Sequence, residues 1–407
     1  MKIRAWLFTV LLLVPVYALA SGADFGTGWE SGSPAGEGLP GGTGLITADA
    51  GTVRSGVYSL KVNANTNKTA YWGGNPNLNS GTLYIFQSMT FAIRVGTLPS
   101  ATLTLMNQFC GVNMSMYMST AGKLSMDDSD GNSSALSSTG LSADGLWHTI
   151  QINAGSGGSA FVTTVKVDGT DWITMTGFNP VNNCSSVSFG IINTNTGSTI
   201  LYFDDFVSSG ISEWLPTSKI ILLKPVSDNS IGTWLAGAGG SSNLYDALNN
   251  IPPVGVATGS ASNTTQIKNA NSSGDQDILL NIESYTAGGL PAGSTVDFVS
   301  PIMNGGNGTA TTCTGGVWIN SNPAQTAGGL STRIGQSGQA AATFPTKWYS
   351  SYGAGTSAPS VTVGTQPVLG IRKVIATTAN CMVDFAGINV GYTPGTASSP
   401  KHRSVSQ

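Results

Sequence analysis

Catalysis by acidic residues needs two carboxyl groups held close together, about 5 Å apart when one is the nucleophile and the other the acid. This chain is poor in such pairs. Its glutamates are Glu30, Glu37, Glu213 and Glu283, none of them in an E-x-D-x-x-E arrangement. Only Glu30 and Glu37 lie near one another, in a Gly/Pro-rich stretch. The adjacent pairs Asp127-Asp128 and Asp204-Asp205 point their members to opposite faces if each lies on a strand. A serine or cysteine nucleophile would want a histidine as base. His402 lies near the end of the chain, and His148 follows Trp147 in a turn-to-strand motif that favours structural hydrogen bonding. The spacing points away from an enzyme.

Binding is better provided for. Carbohydrate recognition uses aromatic faces for stacking and amides or carboxylates for the hydroxyls. Tyr71-Trp72-Gly73-Gly74-Asn75 is an aromatic pair running into a Gly/Asn loop, and Trp172 follows the Asp168-Gly169 turn. Tyr71, Trp72, Asn75 and Trp172 are thus the candidate sugar contacts, with core packing the competing role for each ring. The run Asp127 to Asn132 is rich in acids like a calcium loop, but it lacks the glutamate that completes an EF-hand. Its Asp130-Gly131 dipeptide is a hairpin-turn signal.

The elements that must position these residues are strands. Charged residues are only 9% of the 407, against about 25% in an ordinary soluble protein, and Gly alone contributes 54. Such a surface suits extracellular β-proteins, whose turns need Gly and Asn. A net charge of -3 excludes electrostatic capture of nucleic acid or of an anionic membrane. Lys2 and Arg4 precede an apolar run from Ala5 to Val16 and then Ala18-Leu19-Ala20, so residues 1–20 read as a cleaved export signal. The mature chain is expected to be secreted or on a surface, with no membrane span after cleavage.

Period-two alternation recurs throughout. Val112 to Met118 alternates cleanly, Phe161 to Val167 nearly so, and Asp130-Gly131, Asp144-Gly145 and Asp168-Gly169 supply hairpin turns. The expected architecture is all-β: an N-terminal jelly-roll β-sandwich over residues 24–208, a linker over 209–218, a second β-sandwich over 219–394 and a flexible tail over 395–407. Asn243 to Asn250 is the one short helix expected. Cys110, Cys184, Cys313 and Cys381 form an even set in an exported chain and read as disulfides. Three pairings are open. Joining neighbours, Cys110 to Cys184 and Cys313 to Cys381, closes one loop of about 70 residues in each half, worth on the order of 4 kcal/mol apiece.

Four pieces in order carry a family resemblance. They are Trp29-Glu30-Ser31-Gly32, Ser55 to Val62, Gly145 to Ile150 with Val165 to Gly169, and Tyr202 to Phe206. Residues 24–208 thereby resemble concanavalin A-like, laminin-G-like jelly rolls and related carbohydrate-binding modules, the first piece standing for their opening strand. The resemblance implies a structural Ca²⁺ between the domain termini, held by Glu30 and by Asp204 or Asp205. The order Lys219 to Pro225, Trp234, Asn243-Leu244-Tyr245 and Ile278-Leu279-Leu280 resembles β-sandwich modules of phage structural proteins. The function implied is non-catalytic binding of polysaccharide or surface glycan, or adhesion. The alternatives are a virion or cell-surface decoration protein with other virion or surface proteins as partners, and a glycan-active hydrolase, for which no convergent carboxylates are evident.

Overall fold

Alternating residues between Gly and Asp-Gly turns become strands through most of the computed structural model. It describes residues 25–395 apart from 35–38, 66, 75–86, 111, 157–160, 179–185, 196, 210–213, 238–242, 250–266, 270–275, 308–313, 320–345, 350–365 and 375–380. The N-terminal strands are β1 (Phe25–Thr27), β2 (Leu39–Gly42), β3 (Leu45–Asp49), β4 (Ser59–Ala64), β5 (Lys68–Gly74), β6 (Ser88–Thr97) and β7 (Leu103–Cys110). They continue with β8 (Val112–Met118), β9 (Leu124–Asp128), β10 (His148–Ser156), β11 (Val162–Val167), β12 (Thr170–Thr176), β13 (Ser186–Asn195) and β14 (Thr199–Ser209). They form an 8-stranded antiparallel sheet, ordered β12-β11-β10-β6-β14-β4-β3 with β1 also on β14, and a 6-stranded one, ordered β2-β5-β13-β7-β8-β9. The β11–β12 hairpin turns on Asp168 and Gly169, both left-handed (φ 51° and 79°), as an Asp-Gly type I′ turn requires.

Between these sheets lies an aromatic and methionine core. Trp29, Trp72, Phe91, Phe189, Phe203 and Phe206 are all fully buried. Trp29 meets Trp72 edge-on with centroids 5.5 Å apart, and Phe91 stacks on Phe189 at 5.6 Å. From β8 the inward set is Met114, Met116 and Met118, the face that its alternation marks. Trp29 does not lie on an opening strand. The first strand ends at Thr27, and Trp29 follows in a turn with φ 57°, closed by the Gly32 N–H donating to the Trp29 carbonyl at 3.0 Å.

The second half adds β15 (Lys219–Leu223), β16 (Pro225–Ser230), β17 (Leu235–Ala236), α1 (Leu244–Leu248), β18 (Ile267–Asn269), β19 (Gln276–Ile282) and β20 (Thr295–Asn307). It closes with β21 (Thr314–Ile319), β22 (Thr346–Tyr349), β23 (Val368–Val374) and β24 (Cys381–Thr393). A 6-stranded sheet, β17-β18-β24-β20-β22 with β15 on β24, faces a 4-stranded one, β16-β19-β23-β21. The chain is therefore all-β, with its sheets divided between residues 25–209 and 219–393.

The connection between the halves is packed. Leu215 is 2% exposed and joins Val207, Ile220 and Phe298 in a small core of its own. Its carbonyl accepts from Gln151 Nε2 at 2.7 Å, and Lys166 Nζ sits 3.9 Å from the centre of the Trp214 ring. Leu222, Ile302 and Phe385 of the second half belong to the N-terminal core cluster, so the two sandwiches share apolar packing.

Candidate functional site

On β5 the side chains alternate, so Ala70 and Trp72 enter the core while Tyr71 stands on the outer face of the 6-stranded sheet. Trp72, expected as a sugar contact, is a core residue: its ring is enclosed by Trp29, Phe189 and Phe206 and has no free face. Tyr71 is half-buried. Directly across from it on β2 is Gly41, where a Cβ would come within 2.6 Å of the tyrosine ring. The ring thus lies down over a backbone that carries no side chain.

Beside Tyr71 the register builds a row of small polar residues. Gly73, Ser188, Asn107, Ser115 and Asp127 stand in line across β5, β13, β7, β8 and β9. Tyr117, two residues beyond Ser115, donates its hydroxyl to Asp127 Oδ1 at 2.9 Å, and burial raises its phenol above the ordinary value. Three antiparallel steps separate β5 from β8, so Tyr71 and Tyr117 fall on the same side of the polar row, about 14 Å apart by strand spacing. Asn107 Oδ1 has no donor among the described residues. The face therefore combines two rings with hydroxyl, amide and carboxylate groups. Tyr117 was legible in the Val112–Met118 alternation, which places Asn113, Ser115 and Tyr117 opposite the methionines.

The remaining expected contacts are dispersed. Asn75 lies outside the described residues. Trp172 sits on the opposite sheet at a bulge, because Val165 faces Ile173 while Lys166 faces Asp171, and its half-buried ring packs against the core. His148 Nδ1 is 2.8 Å from Asp168 Oδ2, a bond that ties strand to turn. The Asp127–Asn132 loop satisfies itself: Asp128 accepts from the Asp130 and Asn132 N–H groups at 3.0 and 2.8 Å and from Asn132 Nδ2 at 2.7 Å. Among the cysteines, Cys110 ends β7 and Cys381 opens β24, while Cys184 and Cys313 lie outside the described residues.

Asp204 and Asp205 come together at Arg54, and Glu30 lies on the neighbouring Gly56–Tyr58 backbone. Asp205 Oδ2 is 2.6 Å from Arg54 Nη1, and its other oxygen accepts from the Ser55 hydroxyl and, at 2.7 Å, from the Ile220 N–H of the second sandwich. Asp204 Oδ2 accepts from the Arg54 and Ser55 N–H groups at 2.8 and 3.3 Å, and Glu30 Oε2 from the Val57 N–H at 2.6 Å. Adjacent strand residues should face opposite ways, yet both aspartates are buried. A bulge between Asp204 and Val207, with Asp205 at φ 53°, sets both carboxylates on the outer side of the strand, where the second sandwich covers them, while Phe203 and Phe206 both enter the core. Burial, and then the Asp205 charge, push Asp204 well above the usual carboxylate range. Burial also raises Asp205, against the pull of Arg54. Calcium needs six or more oxygen ligands. These carboxylates instead face N–H and O–H donors and an arginine, and among the described residues no group of three His, Cys, Asp or Glu is placed to hold a metal ion. Beside Asp205 the positive charge is supplied by Arg54.

No protein-family model and no curated protein matches the chain. Among solved structures it is similar to the cellulose-induced protein Cip1, at 16% identity and a TM-score of 0.36, over 46% of this chain and 98% of that one. Domain 4 of the extracellular GH43 arabinanase AbnA of Geobacillus stearothermophilus, solved with arabinotriose, matches at 14% identity and 0.32, over 49% and 96%. The receptor-binding domain of botulinum neurotoxin type G matches at 12% and 0.30, over 61% and 68%. At these scores the likenesses carry no argument about what this chain binds. No helix among the described residues is long and apolar enough to cross a membrane.

Proposed function

We propose that the N-terminal sandwich is a non-catalytic, laminin-G-like carbohydrate-binding module of an exported protein, and that it takes its glycan on the outer face of the 6-stranded sheet. The observation that carries this is Tyr71 lying over Gly41 beside the Ser188–Asn107–Ser115–Asp127 row, with Tyr117 on the same side. A ring lowered onto bare backbone offers a flat surface to a pyranose, and the row offers both donors and acceptors to its hydroxyls. Asp204 and Asp205 are buried beside Arg54, away from this face.

Affinity electrophoresis against a panel of neutral polysaccharides tests this reading. At least one polymer should retard the protein, and Tyr71→Ala and Tyr117→Ala should each weaken that retardation about tenfold, or ~1.4 kcal/mol. Retardation by none of them, or equal retardation of both variants and the parent, would sink the assignment.

A further inference from the structure

Strands β4, β14 and β6 lie side by side in the 8-stranded sheet. Their core-facing residues are Leu60 and Val62, Leu201 and Phe203, and Ile93 and Val95, all buried. Lys61, Tyr202 and Arg94 consequently stand on the outer face. The register puts them in one line, Lys61 directly across from Tyr202 and Tyr202 directly across from Arg94. Lys61 Nζ is 5.5 Å from the centre of the Tyr202 ring and Arg94 Cζ is 5.9 Å from it. A Cβ on Gly96 would lie 3.1 Å from Tyr202 Cε2, so this ring too leans over a residue without a side chain.

The charge on this row is unusual for the molecule. The whole chain carries -3 and is 9% charged, yet here two cations flank one ring, about 10 Å apart by strand spacing. Asp49 stands 3.7 Å from Lys61. Arg94 makes no ion pair among the described residues, and its Nε has no acceptor there. The two like charges repel, an effect that the contact of each with the Tyr202 ring offsets. They suit a ligand that presents a flat ring and a negative group together.

We propose that Lys61, Tyr202 and Arg94 form a second carbohydrate site, for a glycan whose sugars carry carboxylate or sulfate. The sugar ring lies on Tyr202, and its anionic group sits between the ammonium and the guanidinium, where each contributes a charge-assisted hydrogen bond. The site is on the sheet opposite Tyr71 and stands independently of the neutral-glycan reading. Three residues further along β14, Asp205 anchors the second sandwich, so the row borders the junction of the two halves.

The test uses the whole mature chain at low salt with four immobilised polymers: polygalacturonate, dextran sulfate, unmodified dextran and polyglutamate. Retention is expected on polygalacturonate or dextran sulfate and not on polyglutamate; the stronger of the two identifies the anionic group. Lys61→Gln, Arg94→Gln and Tyr202→Leu should each weaken it about tenfold, with thermal midpoints as in the parent. Tyr202→Phe should keep it, and Tyr71→Ala should leave it unchanged. Retention on neither anionic polysaccharide overturns the proposal. So does equal retention on polyglutamate with no effect of Tyr202→Leu, the behaviour of a plain ion exchanger.

Discussion

On the 6-stranded sheet Tyr71 lies over Gly41, and on the 8-stranded sheet Tyr202 leans over Gly96, but the two rings keep different company. Serines, an asparagine and an aspartate surround the first; a lysine and an arginine flank the second. The sheets are also held differently. No cysteine occurs in the 8-stranded sheet, whose outer face is fastened to the second sandwich through Arg54, Asp205 and Ile220. The 6-stranded sheet contains Cys110 at the end of β7, beside Phe109, which faces Ser186 at the start of β13. A tyrosine lying over a glycine is therefore common to both sheets, and the groups beside the two rings differ in charge.

The comparison is broken most forcefully at the fastening. Arg54→Ala leaves Asp205 buried without a cation and should cost about 3–5 kcal/mol in denaturant unfolding. Adding a chelator to the parent should change nothing. A loss below about 1 kcal/mol, or a chelator effect on the parent, would show that something other than Arg54 balances these acids.

On the other sheet the fastening is covalent if Cys110 is joined to Cys184. Peptide mapping of the oxidised protein should find that bridge, and Cys313 with Cys381. Replacing Cys110 and Cys184 together by serine should cost about 2–4 kcal/mol. A bridge running from one half to the other, or four free thiols, would overturn the pairing.

Asp204 sharpens the contrast more gently. Its folded-state pKa is raised, so the stability it contributes is complete below the ordinary carboxylate value and is lost as pH climbs through the raised one. Asp204→Asn cannot ionise and should gain on the parent as pH goes from about 4 to about 7. Thermal midpoints of both proteins across that range give the answer. A gap independent of pH would mean that Asp204 holds no proton in the folded state.

The strands were largely legible because their cause is local. Val112 to Met118 is a strand at those bounds, Phe161 to Val167 contains β11, and the expected short helix contains α1. The short β1, β2, β3, β9, β17, β18 and β22 escaped detection, since a few residues give little period to read, and so did the longer β5, β7, β12 and β16. The Trp29 motif was misread as a strand because its hydrophobic residue is buried by a left-handed turn.

The sites were harder to read. A sequence shows that Tyr71 and Trp72 adjoin, but not which of the two turns inward; the core on the far side of the sheet chose Trp72. Asp205 is balanced by Arg54, which lies 151 positions before it and belongs to no motif. Composition and alternation were enough to make this an all-β chain with hairpin turns, because backbone conformation and side-chain direction repeat over two residues. Register, a single bulge and the docking of one sandwich on the other decided which side chains meet. Those are contacts between distant segments, and nothing in the spacing of neighbours encodes them.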